Sequence, residues 1–277
     1  METGMNSRDE RTESRIALLI DADNSPASKI DFILTELSTF GVTNVRRAYG
    51  NWKKSELKGW EEKLHECAIR PMQQFDYSKG KNASDMAMVI DALELLYTDH
   101  PDAFGIVSSD ADFTPLVMHL RAKGAAVYGF GASRTPEPFV NACSRFLFLD
   151  RLGAAVVSES VESNVVASIV SLPTRADSPA AKPFQTLRTP GAQLRQDTKL
   201  LSLLRASVIA CEDEDGWAKV GAVGTHLKNR APFDPRNYGY ATLTKLIVAI
   251  EAFTLRDEGT SKVCVRDKRH FLALSGA

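Results

Sequence analysis

Aspartates follow buried segments at several points in this chain. Asp21 closes the apolar run IALLID, and Asp110 and Asp112 follow the apolar run FGIVSS at 104–109. Asp85 lies at the start of a helical pattern that precedes the second run. Carboxylate oxygens are the ligands that Mg²⁺ and Mn²⁺ prefer. These residues could therefore hold divalent cations that assist the hydrolysis of a phosphodiester.

The elements around these aspartates predict that they meet. Short apolar strands alternate with helical patterns, which predicts a mostly parallel sheet covered by helices, and ligand sites form at the carboxyl ends of such strands. Two unit charges 4 Å apart repel by about 4 kcal/mol at an effective dielectric near 20, so carboxylates crowded there either have raised pKa values or hold a cation. The sequence thus favours a metal site at this edge.

Each aspartate also has a structural interpretation. Asp112 could cap the helix that follows it, and Asp85 could complement a helix dipole. Asp23 is expected to point away from Asp21 or to cap the turn. Asp91 is six residues after Asp85, so it is expected behind the site or in a buried salt bridge. The combined placement of the four aspartates, more than any one of them, indicates a metal site.

Polar neighbours of the aspartates are candidates for binding a substrate phosphate. Asn24 could bond a ligand water or phosphate, or it could cap the next helix. Ser108 and Ser109 offer hydroxyl and N–H groups, as ordinary turn residues also would. Lys79 and Lys81 approach Asp85 in sequence and are the favoured phosphate guides.

Loop residues near these positions could contact the rest of a substrate. Trp52 and Tyr77 are predicted loop aromatics on which a base could stack, with packing on the domain surface as the alternative. Lys53, Lys54 and Arg134 also fall in or near predicted loops.

The strands and helices that position these residues can be read from hydrophobic periodicity. Strands are predicted at 16–21, 42–50, 68–75, 104–109, 125–131 and 146–150. Helices are predicted after Ser25, around 57–64, at 84–97 and at 113–123. The helix at 84–97 presents Met86, Ile90, Leu93 and Tyr97 on one face.

The composition changes after this region. Residues 1–14 are predicted to be a disordered tail, 15–152 the first domain and 153–196 a proline-rich linker. Residues 197–277 contain three helical patterns followed by two β-like pieces, KVCVR and HFLAL. This order is typical of a small winged-helix-like α+β domain.

Three stretches resemble the motif blocks of the NYN domain, a PIN-like nuclease family: IALLIDADN, KNASDMAMVIDALELL and FGIVSSDADFTPLVMHLRAKGAAVYGFG. The resemblance implies RNA hydrolysis with Mg²⁺ or Mn²⁺, with metal ligands at Asp21, Asp85, Asp110 and Asp112 and the accompanying Asn at Asn24. Ser109 stands where the family usually has Gly, which should be tolerated unless φ is positive there.

The C-terminal segment is similar to LOTUS (OST-HTH) domains, through GWAKVGAVGTHLKNRAPFDPRNYGYATLTKLIVAIEAF and VCVRDK. This similarity implies an accessory module that binds RNA or a protein partner. Possible phosphate contacts are Lys228, Arg230, Arg236, Lys245, Arg266, Lys268 and Arg269, although solvated surface is the ordinary role of such residues.

Bulk properties set the remaining expectations. The 277 residues carry a net charge of −1, so binding of a nucleic acid must come from local patches. The four cysteines have no zinc spacing and are expected to be reduced thiols. The sequence has no apolar run that spans a bilayer and no signal peptide, so we expect a cytoplasmic protein without membrane contact. Oligomeric state is not indicated.

Three functions fit these observations. The first is a metal-dependent endoribonuclease with a C-terminal RNA- or partner-binding module. The second is an RNA-binding regulatory protein that cleaves poorly. The third is a phosphatase of the haloacid dehalogenase kind, with Asp21 and Asp23 as nucleophile and acid, but no convincing Lys completes that motif.

Overall fold

The structure is a computed structural model that describes residues 13–75, 83–151, 188–260 and 262–269. Predictions for 1–12, 152–187 and 270–277 lie outside the described residues. These residues include most of the predicted tail, most of the predicted linker and the predicted HFLAL strand. None of the helices in the described ranges has the length and apolar character that a membrane span requires.

A six-stranded parallel sheet forms the centre of the first domain. In chain order its strands are β1 (Arg15–Asp21), β2 (Val42–Gly50), β3 (Arg70–Gln73), β4 (Ala103–Val107), β5 (Ala126–Gly131) and β6 (Arg145–Phe148). Their order across the sheet is β3-β2-β1-β4-β5-β6, and every neighbouring pair is parallel. The predicted parallel α/β architecture is confirmed.

Helices cover both faces of this sheet. They are α1 (Ile30–Ser38), α2 (Glu61–Glu66), α3 (Ala83–Thr98), α4 (Thr114–Ala122) and α5 (Glu137–Ala142). Alternate residues of β1 point to opposite faces, so Leu18 packs with one core cluster and Leu19 with the other. The run IALLID is apolar at successive positions because β1 is buried on both sides.

The apolar face of α3 that the sequence pattern predicts is mostly exposed to solvent. Met86, Ile90 and Tyr97 are 59%, 61% and 54% exposed. The buried residues of α3 are Ser84, Met88, Asp91, Ala92, Leu95 and Leu96. The helix was predicted correctly, but its apolar stripe does not face the core, because a second set of apolar residues packs there.

The C-terminal domain combines four helices with a small antiparallel sheet. Its helices are α6 (Gly191–Gln196), α7 (Thr198–Ile209), α8 (Val220–Arg230) and α9 (Leu243–Ile250). Its strands are β7 (Ala218–Lys219), β8 (Phe253–Arg256) and β9 (Cys264–Asp267), in the order β7-β9-β8. The predicted winged-helix-like α+β character is confirmed.

Two predictions for this region need correction. The segment KVCVR forms β9, but its partners among the described residues are β7 and β8, neither of which was predicted as a strand. The linker was predicted to reach residue 196, but α6 begins at Gly191 and packs Leu194, which is 1% exposed, into the C-terminal core.

A cluster of buried charges joins the two domains. Arg236 donates to both carboxylate oxygens of Glu36 on α1, each at 2.7 Å, and also to Asp234. Arg145 of β6 donates to Asp234 as well, and Asp234 is 1% exposed. Burial would raise the pKa of Asp234, but the bonds and charges of Arg236 and Arg145 hold it below its usual value. The suggestion that Arg236 contacts phosphate is therefore wrong.

The Asn237 side chain adds a second link, made to the backbone of β6. Its Nδ2 donates to the Phe146 carbonyl at 2.9 Å, and its Oδ1 accepts from the Phe148 N–H at 3.1 Å. Arg151 then donates to the Asn237 carbonyl at 2.7 Å. These bonds attach the C-terminal domain along the outer edge of β6.

Candidate active site

Asp21 lies at the end of β1 and is 1% exposed. Its Oδ2 accepts hydrogen bonds from Ser108 Oγ at 2.9 Å and from Asn24 Nδ2 at 3.0 Å. Burial raises the pKa of Asp21, and these two hydrogen bonds oppose that rise. The structure thus brings Asn24 and Ser108 to Asp21, where they fix the orientation of its carboxylate.

The segment after β4 carries the next two aspartates. Ser108 Oγ accepts from the Asp110 N–H at 3.1 Å, and Asp110 Oδ1 accepts from the Asp112 N–H at 2.8 Å. Asp110 therefore caps a short 3₁₀ turn, and the Asp112 side chain lies at the exposed side. A chain of hydrogen bonds runs from Asp21 through Ser108 to Asp110 and Asp112, which links the ends of β1 and β4.

Asp85 reaches the same region from the first turn of α3. Burial raises its pKa to about 6, and the negative charges of Asp21, Asp110, Asp23 and Asp112 add to the rise. The four predicted aspartates are thus close enough to repel one another. The helix α3 can deliver Asp85 there because it runs antiparallel to the strands and starts at their carboxyl edge.

Asp23 belongs to this group as well, and sequence reasoning had placed it elsewhere. Its Oδ2 accepts from Ser84 Oγ at 3.0 Å, and its Oδ1 lies 3.3 Å from Lys54 Nζ. Asp23 thus ties the end of β1 to α3 and to the loop after β2. The only sequence clue was its spacing of two from Asp21, which would place both side chains on one face if the strand continued.

Among the described residues, Asp23 is the member of the group that has a basic partner, Lys54. Within the part of the chain that the structure describes, Asp21, Asp85, Asp110 and Asp112 form no ion pair with Arg or Lys. Among the same residues, no set of three or more His, Cys, Asp and Glu side chains is arranged to hold a metal ion. The aspartates are neighbours without forming a closed cage.

Other predicted site residues have more mixed outcomes. Ser109 Oγ accepts from the Ala132 N–H at 2.8 Å, so it joins the loops after β4 and β5, and its contact with substrate stays a prediction. Ser109 is not one of the described non-glycine residues with positive φ, which agrees with its tolerance in place of Gly. Lys79, Lys81 and Tyr77 lie outside the described residues.

Asp91 lies behind the site, as one of the two sequence interpretations predicted. It is 8% exposed and bonds to Arg47 and to the Tyr49 hydroxyl, both on β2. Burial and the hydrogen bond to Asp91 raise the pKa of Tyr49. The predicted salt-bridge role of Asp91 is confirmed, and its bonds to Arg47 and Tyr49 fasten α3 to the sheet.

A parallel sheet between helices, with aspartates gathered at its carboxyl edge, defines the first domain as PIN-like. The chain carries an NYN domain, matched over residues 15–150, followed by an OST-HTH/LOTUS domain, matched over residues 195–265. NYN domains are PIN-like and are associated with nuclease activity. The OST-HTH/LOTUS class is associated with binding of RNA or proteins.

Individual relatives add little about activity. An uncharacterized protein of Methanocaldococcus jannaschii is 33% identical over 130 residues, which are 46% of this chain and 51% of that protein. The chain thus spans about half the length of this curated relative. A Vibrio parahaemolyticus protein of unknown function gives a TM-score of 0.43 at 18% identity, covering 51% of this chain and 96% of that one. An uncharacterized Nitrosomonas europaea protein gives a TM-score of 0.24 at 27% identity, and the match covers 35% of this chain and 92% of that one.

Proposed function

We propose that this protein is a metal-dependent endoribonuclease that hydrolyses RNA at Asp21, Asp85, Asp110 and Asp112. The observation that carries the proposal is the convergence of these carboxylates at the ends of β1 and β4 without a basic partner among the described residues. By contrast, Asp91 and Asp234, which are buried and fasten elements of the fold together, are paired with arginine side chains.

The donor set suits Mg²⁺ or Mn²⁺. The side chains around the site offer oxygen atoms, and Mg²⁺ commonly binds one or two carboxylates and keeps waters or substrate phosphates as its other ligands. A site of this kind does not need a closed cage of three side chains, which agrees with the arrangement of the aspartates. When bound, the cation would activate a water and stabilise charge on the phosphate.

The chain's own residues have separable roles in this proposal. Ser108 and Asn24 hold the Asp21 carboxylate in one orientation. The Asp112 N–H does the same for Asp110. Asp85, whose pKa burial and the neighbouring carboxylates raise in the metal-free protein, would complete the metal shell or position the attacking water. The C-terminal domain is proposed to hold the RNA, or a protein that brings it.

The test is cleavage of a 5′-labelled RNA by the purified full-length protein with Mn²⁺, Mg²⁺ or EDTA. We expect internal cleavage that needs the metal and falls at least about 100-fold in Asp110→Asn. Asp99→Asn is the matched control, because Asp99 follows the other end of α3 and is exposed. Equal cleavage by Asp110→Asn and the wild type would indicate a contaminant and refute the proposal.

The two alternative functions are separated by the same assay and one addition. RNA binding without metal-dependent cleavage would favour the weakly catalytic regulatory protein. The phosphatase alternative is disfavoured, since the domain is NYN and Asp23, its supposed acid, is paired with Lys54. Release of phosphate from an aryl phosphate by the wild type but not by Asp21→Asn would revive it.

A further inference from the structure

An exposed aromatic residue lies at the same edge of the sheet as the aspartates. Phe75 follows β3 by two residues and is 49% exposed. The Lys53 ammonium lies over its ring, 5.0 Å from the centroid. A large apolar side chain that stays half in solvent under a cation is not part of a core, so its ring face is accessible to a ligand.

The register of the strands places Phe75 beside the acidic site. Asp21 of β1 is opposite Tyr49 of β2, which is opposite Met72 of β3. Neighbouring strands are about 4.8 Å apart, so the end of β3 lies about 10 Å from the end of β1 across the sheet. Phe75 lies three residues beyond Met72, at most about 10 Å further along the chain, so it flanks the acidic site within about 15 Å, which a few nucleotides of a bound RNA strand would span.

Hydrogen bonds hold the backbone that leads into this position. The Gln74 N–H donates to the Gly50 carbonyl at 3.1 Å, and Gln73 Oε1 accepts from the Trp52 N–H at 3.1 Å. The end of β3 and the loop that carries Lys53 are thus fastened together. The Phe75 ring extends from a fixed anchor and can present the same face to each substrate.

We propose that Phe75 is a substrate-positioning residue on which a nucleobase next to the cleaved phosphodiester stacks, while Lys53 contacts the neighbouring phosphate. This inference rests on the proposed ribonuclease function and deepens it. Every base has a π-face, so stacking tolerates any sequence but needs a base that is free of its partner strand. The Phe75 platform would therefore favour unpaired RNA beside the cut.

Two other aromatic residues of this domain are less suitable for stacking. Trp52 is partly buried against the first core cluster, so its surface is already used in packing. Tyr97 is 54% exposed but lies in the last turn of α3, about 18 Å along the helix from Asp85. Tyr97 therefore provides a matched control: an exposed aromatic residue at the opposite edge of the domain.

The experiment measures RNA affinity apart from cleavage. The full-length Asp110→Asn variant is titrated into a fluorescent single-stranded RNA and into the same RNA with abasic positions, with and without Phe75→Ala. We expect Phe75→Ala to weaken binding of the intact RNA by about 5- to 150-fold and to leave binding of the abasic RNA unchanged. Phe75→Trp should restore the affinity, and Tyr97→Ala should bind like its parent.

The outcomes separate this inference from the proposed function. Unchanged affinity in Phe75→Ala, an equal loss on the abasic RNA, or a similar loss in Tyr97→Ala would each overturn the role of Phe75. Metal-dependent cleavage by the wild type would still stand in those cases. Conversely, a base-dependent loss in Phe75→Ala together with no cleavage by the wild type would support the stacking platform and refute the nuclease.

Discussion

Replacing Asp85 with Asn removes one negative charge from a crowded group, so it should stabilise the metal-free protein. The pKa of Asp85 is raised from 3.8 to about 6. An acid whose pKa is raised on folding holds its proton more tightly in the folded state, so the unfolded state loses that proton first as the pH rises. Stability is therefore lost between about pH 4 and 6, and the penalty is complete at pH 7.5.

The size of this penalty follows from the shift. About two pKa units at 1.36 kcal/mol each give about 3 kcal/mol, and partial exposure of Asp85 reduces this to about 1–3 kcal/mol. Asn also loses the favourable interaction of a charge with the start of α3, worth about 0.3–1 kcal/mol. The net expected gain at pH 7.5 is about 1–2 kcal/mol, or a Tm higher by several degrees.

Thermal unfolding in EDTA at pH 7.5 and at pH 4 measures this effect. Asp85→Asn should melt above the wild type at the higher pH and lose that advantage at the lower one. Glu94→Gln, an exposed change on the same helix, should shift Tm by little at either pH. Added Mn²⁺ should stabilise the wild type more than the variant, because ligand binding to the folded state raises its stability. A variant that is less stable than the wild type at pH 7.5 in EDTA would refute the mutual repulsion of these carboxylates.

Four further substitutions test other parts of the structure. A Cβ added by Gly131→Ala would lie 2.6 Å from the Ser108 carbonyl oxygen, so the segment at the end of β4 must shift. The kcat for RNA cleavage should therefore fall about 10-fold or more. Circular dichroism should show that the fold persists. Arg236→Ala leaves two carboxylates at the domain junction without their main partner and should cost about 3–5 kcal/mol in urea unfolding of the C-terminal domain. Asp91→Ala leaves a partly buried guanidinium unpaired and should cost a similar amount, whereas Lys199→Ala, which breaks a solvent-exposed pair, should leave stability nearly unchanged. Equal effects of Asp91→Ala and Lys199→Ala would show that burial does not set the strength of these pairs.

The sequence was sufficient for features that depend on local pattern. The apolar runs predict buried parallel strands, and the rule that ligand sites form at carboxyl ends predicts where Asp21 and Asp110 meet. Even β3 could be predicted as a strand despite Pro71, because an edge position tolerates a residue without an N–H.

Features set by distant partners could not be predicted in the same way. The exposed face of α3 looks as apolar as its buried face, and the buried face also carries Asp91, whose partner Arg47 lies 44 residues away in sequence, so the pattern within α3 does not indicate which face is buried. Arg236 and Glu36 are 200 residues apart, so nothing near either residue indicates their pairing. Asp23 was misplaced for a similar reason, since its partner Lys54 lies in another loop.

The Asn237 contact with β6 has a consequence for solubility. Outer strands of a sheet leave N–H and C=O groups open to pairing with another molecule, which promotes aggregation. Pro71 lacks an N–H and weakens such pairing at β3, while at β6 the Asn237 amide occupies the Phe146 carbonyl and the Phe148 N–H. A chain cut before residue 188 would uncover the β6 edge, and we expect it to self-associate where the full-length protein does not.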